Sequence, residues 1–340
     1  MSDVLIARRG RTARITLNRP AALNALTAAM VGEIGAALGA FAVDNTVALV
    51  LIDAAGGRAF CAGGDIVGLY RGGRSNPAAA RSFWREEYRL NAAIARFAKP
   101  VVTLMDGIVM GGGVGLGCHA AHRVVTERSL VAMPEVSIGF SPDVGGTRLL
   151  GLAPGHLGDY LAATGARMNA ADAIFAGFAD RLVRSERLPA LVAALEADAD
   201  PASLAAFTEV PAPSPLQAHL AEIDSLFADF DTAMPWASDE TSAFAQATAV
   251  AVRRNAPFSV LAALHAVREA RRDPAIEACL RREYRFSFRV VDHDDFYAGI
   301  RAAVIDKDYN PRWRPARLAE VDLSAVEAAF APLGAEEWTA

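Results

Sequence analysis

The sequence holds little cysteine: three thiols, Cys61, Cys118 and Cys279, among 340 residues. Odd in number and far apart, they offer no disulfide framework and no C-x-x-C metal site, which suits a reducing compartment. An excess of charge of either sign is missing too. Lys and Arg number 34 against 39 Asp and Glu, for a net charge of -5, so no bulk attraction to nucleic acid or to an anionic membrane is expected. No apolar run has the length of a membrane span, and the longest uncharged stretch, 107–122, is rich in glycine. Met1-Ser2-Asp3-Val4 shows no basic start followed by an apolar core. A secretory leader is therefore not expected, and the chain reads as a soluble, cytoplasmic protein.

Several familiar signatures are also absent. Gly113 and Gly115 begin a G-x-G-x-x-G pattern that Cys118 breaks, and no Gly-Lys-Ser/Thr closes a Walker loop. Gly139-Phe140-Ser141 continues into Pro142-Asp143, which is not the G-x-S-x-G of a serine hydrolase. His119 and His122 have no further clustered ligand, so a packed pair is expected rather than a zinc site. Neither a metal nor a separate cofactor is called for.

What is present is apolar. Hydrophobic residues make up 53% of the chain, enough for one large core or two modest ones. Strand and helix signals alternate up to about residue 185, which predicts an α/β fold. Residues 4–7 and 13–17 read as a hairpin and 47–52 as a buried strand. Residues 27–41 read as a helix capped by Thr27, with Met30, Ile34, Leu38 and Phe41 at helical spacing. A long helix is expected over 77–97. Beyond residue 185 alanine-rich helical segments take over, broken by Pro211-Ala-Pro-Ser-Pro215. Trp236, Trp313 and Trp338 in this part read as core or interface residues.

The candidate site starts at Gly107-Ile-Val-Met-Gly-Gly-Gly-Val-Gly-Leu-Gly117, after the apolar run Val101–Met105. A strand feeding a glycine turn that opens a helix exposes unpaired backbone N–H groups, and the missing Cβ atoms let a ligand come close. Ala59-Phe-Cys-Ala-Gly-Gly-Asp-Ile66 is a second small-residue loop after a strand. Two carboxylates follow, Glu135 and Asp143, each beside a proline. Backbone donors for a developing negative charge, with carboxylates nearby, point to acyl transfer. In the long helix Glu87 falls on the stripe of Phe83, Leu90, Ile94 and Phe97, where a charge must be paired, protonated or facing a cavity. Arg81, Arg85 and Arg89 are near enough along the helix to pair with it.

These motifs, with Ile15-Thr-Leu-Asn-Arg-Pro20 and Met133-Pro-Glu-Val-Ser-Ile-Gly139, resemble the crotonase (enoyl-CoA hydratase/isomerase) superfamily. Arg85-Glu-Glu-Tyr88, Pro142-Asp-Val-Gly-Gly146, Ile305-Asp-Lys-Asp308 and Pro311-Arg-Trp-Arg-Pro315 look most like its 3-hydroxyisobutyryl-CoA hydrolase branch. The resemblance implies a spiral of ββα units over residues 1–185, the acyl-CoA-binding catalytic core, and a mainly helical region over 186–340. It implies an oxyanion hole at the N–H groups of Gly64 and Gly112, and CoA contacts at Ala62, Gly63, Asp65 and Ile66. Glu87, Gly112, Glu135 and Asp143 map to substrate-contacting positions, with Glu135 and Asp143 catalytic. Coenzyme A enters as part of the substrate. A homo-oligomer is compatible with the sequence.

Hydratases of this superfamily use two glutamates; Glu135 matches the second, and Gly115 stands in place of the first. Glycine cannot transfer a proton, so the resemblance implies thioester hydrolysis of 3-hydroxyisobutyryl-CoA, with 3-hydroxypropionyl-CoA as a side substrate, in valine catabolism. Glu135 would attack the carbonyl or activate water. Asp143 would hold the 3-hydroxyl or manage protons, and also reads as the N-cap of a helix starting at Val144. An enoyl-CoA hydratase or isomerase and a non-catalytic acyl-CoA binder are the alternatives.

Overall fold

The computed structural model describes residues 2–234, 237–238 and 241–340, so Trp236 lies outside the described residues. The chain forms two compact units, each assembled from three stretches: Met1–Asp65, Glu86–Ala132 and Met168–Ser214 in one, Ile66–Arg85, Met133–Arg167 and Pro215–Ala340 in the other. These units follow contact density, whereas the division at residue 185 is one of composition. The Pro211–Pro215 break does fall where one stretch ends and the next begins.

The first unit holds all the strands found among the described residues. They are β1 (Val4–Arg9), β2 (Thr12–Leu17), β3 (Leu49–Ala54), β4 (Ala59–Cys61), β5 (Val101–Met105), β6 (Ile108–Met110), β7 (His122–Val125), β8 (Leu130–Ala132) and β9 (Arg181–Leu182). One sheet runs β1-β2-β3-β5-β7-β9, antiparallel at the β1–β2 hairpin and parallel elsewhere; β4-β6-β8 form a second, parallel sheet. Each of the pairs β3–β4, β5–β6 and β7–β8 thus gives one strand to each sheet before a helical segment follows. This is the crotonase-like spiral of ββα units, and a mainly helical C-terminal region follows it.

The local chemistry explains the elements. β3 pairs on both edges and buries its first five residues, so it reads as an unbroken apolar run. Leu49, Leu51, Val102, Leu104 and Val124 form a core with Leu191 and Leu195 of the helix Leu188–Asp198. Thr27 caps the helix Ala28–Val43, its hydroxyl accepting the Met30 N–H at 3.2 Å. β4 and β6 lie in stretches that read as glycine loops. A run of only three residues carries too short a strand signal of its own, and mutual pairing makes these runs strands. The helix expected after the glycine turn begins within it, as Gly112–Gly117, and all six of its residues are buried. Burial, not propensity, holds a helix with four glycines.

In the second unit the helix Pro257–Arg272 starts on a proline at its first turn and packs on Gly146–Leu152 and Leu157–Thr164. Asp159 is fully buried there and is held by Arg271 at 2.5 Å and His156 at 2.9 Å. Trp338 is fully buried, as expected of a core residue, and donates its indole N–H to the Arg85 carbonyl at 3.2 Å. Trp313 is half-buried and donates to the Arg254 carbonyl at 3.0 Å.

Candidate active site

The first unit brings the two expected donors together. A parallel bridge joins Leu26 to Gly64 through Leu26 N–H to Gly63 O and Asp65 N–H to Leu26 O, both 2.8 Å. That pattern uses the residues on either side of Gly64 and leaves its own N–H pointing away from Leu26. Gly112 is the first residue of its helix, so its N–H is one of those with no acceptor inside the helix. The two nitrogens are neighbours: a Cβ built on Gly112 would lie 3.3 Å from Gly64 N. The same Cβ would lie 2.5 Å from Glu87 Oε1, so the Glu87 carboxylate borders the donor pair. Glu87 is buried. Among the arginines near it along the helix, Arg81 also reaches Asp292, Arg85 reaches Glu336 and Arg89 reaches Glu86.

Ala62, Gly63 and Asp65 lie in the loop leaving β4, and Ile66 starts the helix Ile66–Gly72. Ala62 donates its N–H to Leu23 O at 3.1 Å, and Asp65 pairs with Arg19 at 3.0 Å. Asp65 is thus tied by its side chain as well as by the bridge. Cys61 is no nucleophile. Burial, with the Glu87 charge adding to it, pushes its thiol up to about 12, against a weaker opposing hydrogen bond to Gly63 O.

The second unit carries Glu135 and Asp143, both buried, in one segment. Glu135 opens the single turn Glu135–Ile138, and its carbonyl accepts the Phe140 N–H at 3.1 Å. Gly139 leaves that turn at φ 74°, and an added Cβ there would run into the Asp295 carbonyl, so only glycine fits. After Asp143 the chain turns through Val144 at φ 54° and Gly145 at φ 76°. Positive φ at a β-branched residue is strained backbone, of a kind found where a side chain must be aimed.

The expected N-cap role of Asp143 is not what the structure shows. The next helix, Gly146–Leu152, starts later, and its N-cap is Gly145, which has no side chain to offer its amides. The free amides are taken instead by Glu283, which is buried and accepts from Gly145 N–H at 2.7 Å, Thr147 N–H at 3.0 Å and Thr147 Oγ1 at 2.5 Å. Sequence reading missed Glu283, which lies 138 residues from Gly145. Its one signal is a carboxylate inside the apolar face of the helix Ile276–Val290.

His119 and His122 are not on one helix: His119 is buried in the turn after Gly117, and His122 begins β7. Among the described residues no group of three or more His, Cys, Asp or Glu side chains is placed to hold a metal ion. No helix of the described residues is long and apolar enough to cross a membrane.

A ββα fold with a bare pair of glycine N–H groups beside a buried carboxylate defines the class: an enzyme acting on thioesters. The chain matches the Enoyl-CoA hydratase/isomerase family over residues 12–330 and belongs to that family, the crotonase superfamily. It is 38% identical to the mitochondrial 3-hydroxyisobutyryl-CoA hydrolase of Gallus gallus, over 98% of this chain and 90% of that protein. Among solved structures it resembles an enoyl-CoA hydratase from Rhodobacter sphaeroides 2.4.1, with TM-score 0.94, 49% identity and coverage of 99% of this chain and 100% of that one. A carnitinyl-CoA dehydratase from Mycobacterium thermoresistibile matches with TM-score 0.95 and 44% identity, over 100% of this chain and 99% of that one. The chain is accordingly an enzyme of CoA-thioester chemistry. The expectation of a cytoplasmic protein is overturned: the Gallus gallus relative is mitochondrial, as are those from Rattus norvegicus and Homo sapiens. Scarce cysteine reports a reducing environment, which more than one compartment supplies.

Proposed function

We propose that the protein hydrolyses the thioester of 3-hydroxyisobutyryl-CoA to the free hydroxy acid and CoA, a step of valine catabolism, with 3-hydroxypropionyl-CoA as a second substrate. The observation that carries this reading is Gly115. It lies buried in the helix that opens on the Gly112 donor, at the position where a hydratase needs its first glutamate. Hydration of a double bond needs a proton donor as well as an activated water; thioester hydrolysis needs an oxyanion site and one carboxylate. The N–H groups of Gly64 and Gly112 take the carbonyl oxygen as it becomes negative. Glu135 either removes a proton from the attacking water or adds to the carbonyl carbon itself. The C–S bond breaks, the thiolate takes up a proton and leaves as CoA, and in the second case water then cleaves the acyl–Glu135 anhydride to release the acid and restore the carboxylate. Asp143 holds the 3-hydroxyl, Glu87 borders the acyl group, and Ala62, Gly63, Asp65 and Ile66 hold the CoA arm. The name of the Gallus gallus relative supports the same reaction.

Hydration or dehydration of an acyl-CoA is the second reading. The names of the two solved structures, at the higher identities of 49% and 44%, favour it. The experiment that separates the two is thiol release from 3-hydroxyisobutyryl-CoA beside hydration of an enoyl-CoA, for wild type and Glu135→Gln. Hydrolysis predicts thiol release that the substitution abolishes, with little hydration. Hydration without thiol release sinks the hydrolase reading, and absence of both leaves a binding protein.

A further inference from the structure

The stretch between the two candidate carboxylates holds a polar group that neither reading uses. Ser141 is 2% exposed, and its hydroxyl has no hydrogen-bond partner among the described residues. Buried hydroxyls are nearly always paired, because burial strips their water away, and an unpaired one calls for an explanation. Alanine would fill almost the same space without that cost.

The backbone around Ser141 is held firmly. Phe140 stacks on Trp84 with ring centroids 5.4 Å apart and meets Phe286 and Phe296 at 5.8 and 5.7 Å. On the other side Pro142 restricts Ser141 to extended backbone. Residues two apart in extended backbone face the same side, which aligns Ser141 with Asp143. A hydroxyl fixed in this way is preorganised for a partner that arrives with the ligand. An aliphatic acyl chain offers it nothing, whereas a hydroxylated chain offers both a lone pair and a proton.

We infer that Ser141 is a specificity residue which selects acyl chains bearing a hydroxyl near the thioester. The inference rests on the acyl-CoA reading above. Ser141 donates to the substrate hydroxyl oxygen while Asp143 accepts the substrate hydroxyl proton, so the one substrate group is bound at two points.

The test is binding without turnover. Dissociation constants for 3-hydroxyisobutyryl-CoA and isobutyryl-CoA are measured by titration calorimetry on Glu135→Gln and on Glu135→Gln/Ser141→Ala. Removal of the hydroxyl is expected to cut the preference for the hydroxylated thioester by about tenfold, the effect of one such hydrogen bond. The loss should fall on that ligand, with isobutyryl-CoA affinity unchanged. The ligand-free melting temperature of Ser141→Ala should equal or exceed that of its parent, since no internal bond is lost. Equal weakening of both ligands, an unchanged preference, or a lowered melting temperature with no change in preference overturns the role of Ser141 alone. Failure of both the wild type and Glu135→Gln to bind either thioester sinks the acyl-CoA reading and the inference with it, while thiol release by the wild type decides hydrolysis separately.

Discussion

Glu87 Oε1 stands 2.5 Å from the point where a Cβ on Gly112 would lie, so carboxylate and glycine occupy adjoining space and neither has room to spare. Leu26 Cδ1 closes another side at 3.2 Å. Gly112→Ala therefore pushes on Glu87, on Leu26 and on the loop carrying the Gly64 donor. Loss of one oxyanion donor typically costs ~10²–10³-fold in turnover. Steady-state kinetics on the thioester should show a fall in kcat of that order with KM little altered. A drop in KM affinity alone would remove Gly112 from the reaction.

Glu283 is expected to matter for stability out of proportion to its distance from Asp143 in sequence. Glu283→Ala strands the N–H groups of Gly145 and Thr147 and the Thr147 hydroxyl inside the protein. One buried unsatisfied group costs ~1–3 kcal/mol, so urea unfolding should show a loss of at least ~2 kcal/mol. The pH dependence has a definite sign. Burial raises the Glu283 carboxyl above its ordinary value, with its hydrogen bonds opposing. The folded protein then holds that proton more tightly than the unfolded chain. The resulting stability is complete below the unfolded carboxylate value of about 4.3 and is lost as pH rises through the folded one. The stability of wild type minus that of Glu283→Gln should accordingly decline as pH is raised from about 4. A difference that grows with pH would contradict the raised value.

The cysteines should be silent toward thiol reagents. Burial raises Cys61 and Cys118 to about 12 and Cys279 to about 11. At pH 8 a thiol at about 12 is ionised to about one part in ten thousand, and the thiolate is the reactive form. Native protein titrated with an aromatic disulfide reagent should release almost no colour on the timescale of minutes, and three equivalents after denaturation. Fast reaction of Cys61 in the native protein would show that the β4 loop opens.

Asp159 is fully exposed to its partners and not at all to water, with Arg271 at 2.5 Å and His156 at 2.9 Å. Asp159→Ala leaves behind Arg271 and His156, which solvent partly screens, so the cost is that of lost hydrogen bonds to a charged group, ~1.5–3 kcal/mol. Asp159→Ala should show a stability loss of that size by chemical denaturation. Turnover per folded molecule at 25 °C should stay near wild type, which separates this residue from the catalytic ones.

Much of the fold was legible because its signals are local. Thr27 before an apolar-periodic run marks a helix start, and Val47–Ile52 can hardly be anything but a buried strand. The glycine donors were legible through motif and strand-to-helix order. The failures share a physical cause, which is contact between distant parts of the chain. β4 and β6 are strands because of each other. Asp143 looked like a helix cap because nothing near it in sequence shows that Glu283 takes the amides. Arg81 and Arg85, near Glu87 along the helix, reach Asp292 and Glu336, more than two hundred residues away, which no local pattern announces. The unpartnered state of the Ser141 hydroxyl is likewise a property of its surroundings and not of its motif.

The donor pair proposed at Gly64 and Gly112 consists of main-chain atoms, which every amino acid possesses. Heredity at these two positions therefore guards empty space and not a functional group. A lineage that keeps the emptiness keeps the power to stabilise an enolate-like or tetrahedral anion, whatever happens at the side chains around it. The kind of reaction then becomes exchangeable, since a carboxylate gained or lost at a neighbouring position such as Gly115 redirects protons without disturbing the pair.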